Sequence, residues 1–455
     1  MLRKRITEKD ARIGVIGLGY VGLPLVVEMA EAGFQVYGLD INEEKTRKLK
    51  IRESYIIDVD SSRVADVVTR GLFHPGTDFS VIERCDCVSI CVPTPLRKTK
   101  DPDISYITSA VSQIKKHMHK DLLVTLESTT YPGTTEELIQ HEIEELGYVI
   151  GEDFFVCFSP ERVDPGNPVF NTKNTPKVIG GITPRCTELG CLLYGQVLQN
   201  IVPVSSTKVA EMVKLLENTF RSVNIGLVNE IALMCDRMGI NVWEVIEAAA
   251  TKPFGFMPFY PGPGIGGHCI PLDPMYLSWK AKMFNFYNKF IELASDINGN
   301  MPRYVISKVM DALNMHSKSL RGSKILVLGM AYKKNIDDIR ESPALDIYAL
   351  LLEKGAEVYY HDPFVPSFKF EDTVISSTDI CEESIKYYDC VILATDHACF
   401  DYPMISKNTQ LIVDTRNGFK EYRENIIKLG APLKTGTLMQ AYQEAAAAGA
   451  SRLGG

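Results

Sequence analysis

Gly17-Leu18-Gly19-Tyr20-Val21-Gly22 has the spacing G-x-G-x-x-G, with a short apolar run before it and helical spacing after it. In that setting the glycines permit a tight turn and close backbone approach to a pyrophosphate, whose charge the helix N-terminus stabilises. Asp40 closes the next apolar run. A carboxylate there accepts from a ribose 2′-hydroxyl and repels a 2′-phosphate, so the pattern predicts NAD over NADP. A glycine turn that merely packs a helix on a strand is the plain alternative. Cys269 sits in Gly266-Gly267-His268-Cys269, inside a Pro- and Gly-rich stretch. A thiol in such a loop can be exposed and tuned by its neighbours, His268 among them; a buried loop cysteine is the alternative. Glu211, Lys214, Asn218 and Arg221 recur at three- and four-residue intervals, a polar stripe among apolar residues such as Leu215, Leu216 and Phe220. Either that stripe is solvated, or the helix is buried between domains and its cations need a partner, such as an anionic ligand. Glu161-Arg162, Tyr332-Lys333-Lys334 and Asp414-Thr415-Arg416-Asn417 each follow a strand-like run. Strand ends in α/β sheets are where ligands bind, so these groups dock an anion or else form ordinary surface ion pairs. Cys85, Cys87 and Cys91 share strand parity and no C-x-x-C occurs, so no metal is expected.

The elements that must carry these residues follow from periodicity. Ile13–Gly17, Gln35–Asp40 and Cys85–Pro93 read as short buried strands, with a helix over Gly22–Glu31. Ser205–Ala250 reads as a long helical stretch broken near Gly239. Lys252–Pro274 holds too much Pro and Gly for regular structure, and long irregular loops are usually functional or disordered. The α/β rhythm then returns, with strands expected at Lys324–Leu328, Glu357–His361, Cys390–Ala394 and Leu411–Asp414. Asp362 echoes Asp40 at a strand end, and only Gly329 stands where the first copy has three glycines. The fold class is therefore α/β, two Rossmann-like domains with mostly parallel sheets bridged by a long central helix. The expected boundaries are 1–203 for an NAD-binding domain, 204–300 for a central helical region, 301–440 for a second Rossmann-like domain and 441–455 for a low-complexity tail.

Composition agrees with such a chain: 455 residues, 45% hydrophobic and 23% charged, enough for about two to four domains. Lys+Arg 49 against Asp+Glu 57 gives net charge −8, with no basic footprint for nucleic acid or a membrane surface. No run reaches the ~18 apolar residues of a membrane span. The polar N-terminus lacks the core of a signal peptide, and 11 scattered Cys suit a reducing compartment. A soluble, cytoplasmic protein is expected.

These pieces in this order resemble the nucleotide-sugar 6-dehydrogenase family, the UDP-glucose and UDP-N-acetylhexosamine dehydrogenases. The resemblance runs from Arg12 to about Gly418. It includes Gly17–Leu25, Val92-Pro93-Thr94-Pro95, Ser128-Thr129 before Pro132-Gly133, Lys214 and Asn218, the Gly266–Cys269 loop and Arg340-Glu341-Ser342. It implies that the first domain holds NAD, with Gly17, Gly19, Tyr20, Val21, Gly22, Asp40, Thr94, Thr129 and Arg340 as contacts. The second would help hold a UDP-sugar, with Arg162, Val163, Lys214, Asn218, Arg221, Tyr260, Gly266, Tyr332, Lys333 and Arg416 around it. The central region would form a homodimer or higher homo-oligomer. Catalysis would be a four-electron oxidation of the sugar C6 through a Cys269 thiohemiacetal and thioester. Lys214 and Asn218 would stabilise oxyanions, Glu161 and Thr129 would activate water, and Asp273 would support them. The product would supply surface polysaccharide synthesis.

Pro165 and Leu272 stand where the UDP-glucose branch carries a Glu and a Lys, and point away from glucose. Phe254, Gly255 and Phe256 replace the His and Arg of UDP-N-acetylmannosamine enzymes. The resemblance is therefore to UDP-N-acetylglucosamine 6-dehydrogenases, with the mannosamine and glucose substrates as alternatives. A β-hydroxyacid dehydrogenase would leave the Cys269 loop unexplained and form one NADH per substrate. An inactive NAD-binding scaffold would tolerate loss of Lys214 and Cys269.

Overall fold

The computed structural model describes residues 1–56, 58–95, 97, 102–163, 169–421 and 423–432. Pro165 and the 441–455 tail lie outside the described residues. Two compact units emerge, one of Met1–Asn218 with Leu272–Tyr287 and one of Thr219–Pro271 with Asn288–Gly455.

In the first unit, the apolar runs at the centre of the sheet become strands buried along their whole length. Among the described residues its sheet contains β1 (Arg12–Ile16), β2 (Gln35–Leu39), β3 (Phe73–Gly76), β4 (Cys87–Ile90), β5 (Leu122–Leu126), β6 (Phe154–Phe158), β7 (Lys177–Gly181) and β8 (Ile201–Val204). Their order is β3-β2-β1-β4-β5-β6-β7-β8. All neighbours are parallel except β6 and β7, which run antiparallel with Phe158 opposite Gly180. That single reversal brings the start of β7 to the carboxyl end of β6. Cys85, Cys87, Cys91, Cys157 and Cys186 are all buried here as free thiols, packed as small core residues.

The second unit repeats the plan with β9 (Lys324–Leu328), β10 (Glu357–His361), β13 (Cys390–Leu393), β14 (Ile412–Asp414) and β15 (Ile426–Lys428), a hairpin of β11 (Ser367–Phe370) and β12 (Thr373–Ser376) being separate. The five-stranded order is β10-β9-β13-β14-β15, parallel throughout. The expected strands and the Gly22–Glu31 helix are found within one residue of their predicted ends, except that the strand expected over Cys85–Pro93 is confined to Cys87–Ile90.

The long helix spans Thr207–Met238, 32 residues, and the unit boundary falls inside it between Asn218 and Thr219. It stops at Gly239, whose φ of 72° is the left-handed conformation that ends helices. Asn241 then caps a second helix, Val242–Ala250, by accepting from the Trp243 N–H. Burial on the long helix departs from the expectation. Glu211 and Lys214 are buried, whereas Leu216, Phe220, Leu227 and Met234 are 46–58% exposed. The helix is not enclosed on all sides by its own chain: Glu211, Lys214 and Asn218 face inward to protein partners, while Arg221 and an apolar face stay outside. Residues 253–272 form neither helix nor strand, as the Pro and Gly content requires. No helix among the described residues is long and apolar enough to cross a membrane.

Candidate active site

At the carboxyl end of β1 the glycine turn meets its steric demands. Gly17 has φ 93°, and a Cβ there would lie 2.6 Å from the Cys91 carbonyl oxygen; one at Gly22 would lie 1.8 Å from Gly17 O. Gly19 opens instead onto free space, with nothing within 4 Å of a Cβ. The helix beginning at Gly22 starts directly behind it. Asp40 follows β2 and accepts from the Leu18 N–H (2.9 Å) through Oδ2 and from the Asn42 N–H (2.9 Å) through Oδ1. Two carboxylate oxygens with one backbone donor each retain lone pairs for ribose hydroxyls. These residues fit a dinucleotide.

Asp40→Ala is expected to weaken NAD binding by roughly 10- to 150-fold, the ~1.5–3 kcal/mol of a hydrogen bond to a charged group. It should also relax discrimination against NADP, because Lys45, 3.6 Å from Asp40, would lose its carboxylate partner. Equal dissociation constants for NAD in both proteins, measured by titration, would remove Asp40 from the cofactor site.

The second unit's counterpart cannot serve that purpose. Asp362 is 1% exposed. Its Oδ2 accepts from the Met330 and Ala331 N–H groups and pairs with His397 Nε2 at 3.1 Å, while Oδ1 accepts from Phe364 and Val365. Every acceptor direction is used internally.

Most of the expected catalytic residues lie together in the first unit. Lys214 on the long helix donates to the Glu161 carbonyl at 2.6 Å. Asn218, one turn on, donates through Nδ2 to Asp273 Oδ2. Burial raises the Asp273 carboxyl to about 6, against the opposing pull of Lys214 and Asn218. The buried ammonium thus has protein partners, as burial of a charge demands. Glu161 accepts through Oε1 from the Arg162 N–H (2.8 Å) and Val163 N–H (2.9 Å), a tight turn just past β6. The Arg162 guanidinium pairs with Glu217 at 2.6 Å and donates to the Pro176 carbonyl, so it ties this turn to the long helix.

Thr129 is half-buried just past β5. Its segment is held at both ends: Ser128 Oγ donates to the Val92 carbonyl at 2.7 Å. Glu211 accepts from the Gly133 N–H and, through its other oxygen, from the Thr135 N–H (2.9 Å) and Oγ1 (2.7 Å). Thr94 is anchored through its carbonyl by the Tyr276 hydroxyl. The inner stripe of one helix therefore secures three segments, with Glu211 on the loop after β5, Lys214 on the loop after β6 and Asn218 on the start of the Asp273–Lys282 helix.

The remaining candidates belong to the second unit. Cys269 is partly exposed in the irregular loop. Gly262 lies against Arg416, where a Cβ would come within 2.7 Å of Nη1, and Gly266 and Gly267 lie against Tyr332. The Gly267 N–H donates to the Arg340 carbonyl at 2.9 Å. Arg340, expected at the cofactor, forms a bidentate pair with Asp338. Burial lowers the Arg416 pKa, and its Nε donates to the Ala394 carbonyl at 2.9 Å. A guanidinium in that state favours an anionic ligand. Tyr260 is half exposed and stacked on Trp243. Lys333 is half-buried after β9 and Arg221 is exposed on the long helix. Among the described residues no group of three His, Cys, Asp or Glu could hold a metal ion.

Glu127, Lys177 and Tyr194 escaped the sequence reading. Lys177 Nζ lies 2.5 Å from Glu127 and 3.2 Å from Glu161. Only the antiparallel pairing of β6 with β7 reveals this, and no short motif marks it.

Residues 11–198 match the NAD binding domain of the UDP-glucose/GDP-mannose dehydrogenase family, 208–300 its central domain and 326–421 its UDP binding domain. A UDP-N-acetyl-D-glucosamine 6-dehydrogenase of Pseudomonas aeruginosa is 36% identical over 86% of this chain and 92% of its own length. A UDP-N-acetyl-D-mannosamine dehydrogenase of Pyrococcus horikoshii is also 36% identical, over 90% of this chain and 96% of its own. The solved structure of a UDP-D-ManNAc dehydrogenase from Pyrococcus horikoshii superposes with a TM-score of 0.85 at 34% identity, covering 94% of this chain and 100% of that one. The chain belongs to the UDP-glucose/GDP-mannose dehydrogenase family and is an NAD-dependent oxidoreductase of nucleotide sugars.

Proposed function

We propose that this enzyme oxidises the C6 hydroxymethyl of a UDP-N-acetylhexosamine, UDP-N-acetylglucosamine in particular, to the uronic acid. The observation that carries the reading is the bonded cluster of Glu161, Lys214, Asn218 and Asp273 in a family whose relatives act on UDP-N-acetylhexosamines. NAD, when bound, supplies the hydride acceptor for both oxidations. Lys214 and Asn218 stabilise the oxygen at C6 as charge develops on it. Asp273 orients that pair from its buried position. Cys269, as thiolate, adds to the aldehyde, so that the second oxidation yields a thioester instead of requiring a free hydrate. Glu161 with Thr129 then activates the water that releases the carboxylate and returns the thiol.

The choice of sugar rests on Phe254-Gly255-Phe256 and on Pro165 and Leu272. Incubation with equal concentrations of UDP-N-acetylglucosamine, UDP-N-acetylmannosamine and UDP-glucose tests it. The expected result is two NADH per sugar consumed and the highest kcat/KM for UDP-N-acetylglucosamine. Preference for either other sugar would overturn the assignment, and one NADH per sugar would overturn the four-electron scheme. The exposed apolar face of the long helix supports a homodimer or larger homo-oligomer as the working form, which sedimentation would refute by finding monomer alone.

A further inference from the structure

Continuing the β6–β7 register three residues past the Phe158–Gly180 pair sets Glu161 opposite Lys177. Lys177 is 4% exposed in its side chain and Glu127 not at all, while Glu161 is 15% exposed. The ammonium therefore bridges two carboxylates inside the protein. One, Glu127, is closed off: it also accepts from the Tyr194 hydroxyl, which lies 3.0 Å from Ser89 Oγ. The other, Glu161, keeps an edge toward solvent. An ion pair this buried costs desolvation and is weak evidence for a stabilising role. Its position invites a functional one.

The structure assigns Lys177, backed by Glu127 and Tyr194, as the positioning residue of Glu161: it fixes the Glu161 carboxylate beside the loop that Lys214 holds and keeps it charged. This rests on the reading of Glu161 as the group that activates water.

The electrostatics agree with the geometry. Burial alone would raise the Glu161 carboxyl, but Lys177, the Val163 N–H and Lys214 outweigh it and hold it below its ordinary value. Burial pushes Glu127 up despite the pull of Lys177. The groups facing Glu161 are Lys177 from β7, Glu127 from the end of β5, Lys214 from the long helix and Cys91 from the end of β4. Glu217, paired with Arg162, flanks the turn. Two of these neighbours act on Glu161 with opposite sign. Removing the Lys177 charge leaves Glu161 with burial and Glu127 opposing ionisation. Removing the Glu127 charge leaves Lys177 to Glu161 alone.

The test is the pH dependence of steady-state kcat and KM for Lys177→Met, Lys177→Arg, Glu127→Gln and Glu161→Gln. UDP-N-acetylglucosamine and UDP-N-acetylmannosamine are each used as substrate, with saturating NAD. Lys177→Met should move the acid limb of kcat up by about 1–3 pH units, the usual effect of losing an opposite charge at this distance. The sugar KM should change less than threefold. Lys177→Arg should restore the limb toward its original position, and Glu127→Gln should move it down. A purely structural pair would lower expression and kcat without opposed shifts. If Lys177→Met does not fold, the downward shift in Glu127→Gln decides the matter. An unmoved acid limb in the folded variants, with Glu161→Gln still impaired, overturns the assignment of Lys177 alone. Undiminished turnover in Glu161→Gln overturns the water-activation reading and this inference with it.

Discussion

Lys214→Ala should lose both oxidations, about 10²- to 10³-fold each, the typical cost of removing one oxyanion donor. Rapid mixing with UDP-N-acetylglucosamine and NAD should show no burst of NADH, and steady turnover should fall in parallel. The reason lies in how the ammonium is held. It donates to the Glu161 carbonyl at 2.6 Å, and its charge opposes the burial that raises Asp273 to about 6. Without Lys214 one of the two groups holding Asp273 down is gone, so its carboxyl rises above that value and is partly protonated at neutral pH. The sign follows: activity remaining in the variant should increase as pH is raised above 7, where Asp273 recovers its charge. Normal first-step kinetics in the folded variant would reduce Lys214 to a loop anchor.

Periodicity showed such a residue as one member of a polar stripe, its role being implied by the family resemblance, and the limits of what periodicity shows are physical. Local signals carried far. The G-x-G-x-x-G turn, Asp40 and the strand ends at Phe158, Leu328 and Asp414 depend on neighbours close in sequence, and each is found where the pattern places it. Periodicity also located the long helix and its stop at Gly239, because a left-handed residue there is a local requirement. Which face points inward was not local. Leu216 and Phe220 are apolar and exposed, while Glu211 and Lys214 are charged and buried. Hydrophobicity alone orients a helix only when its polar groups lack buried partners, and here Gly133, Thr135 and the Glu161 carbonyl supply them. The Glu127–Lys177–Glu161 bridge was beyond reach for a related reason. It depends on β7 reversing direction beside β6, a choice made by tertiary packing, and Lys177 opens its strand with no motif around it.

Cys269→Ser should separate the two oxidations instead of abolishing both. The thiol is needed only once aldehyde has formed, so the first hydride transfer should survive and appear as a burst of one NADH per active site. Steady turnover should then fall by several orders of magnitude. A serine hydroxyl is a far weaker nucleophile at neutral pH than a thiol with even a few per cent thiolate. Any oxygen ester it formed would also hydrolyse more slowly than a thioester. The loop can present this residue because it has no strand or helix to satisfy. Gly266 and Gly267 let it lie against Tyr332, and the Gly267 N–H bond to Arg340 fixes its course two residues before the thiol. Serine is close in volume to cysteine, so the loop should keep that course and the defect should be chemical. Intact-protein mass spectrometry after incubation with UDP-N-acetylglucosamine and NAD is the direct measurement, with a stalled aldehyde or acyl adduct expected on the variant. Release of the uronic acid at the wild-type rate, with two NADH per sugar, would make Cys269 a structural loop residue. The covalent route would then have to be abandoned, and water activated by Glu161 would have to attack the aldehyde itself.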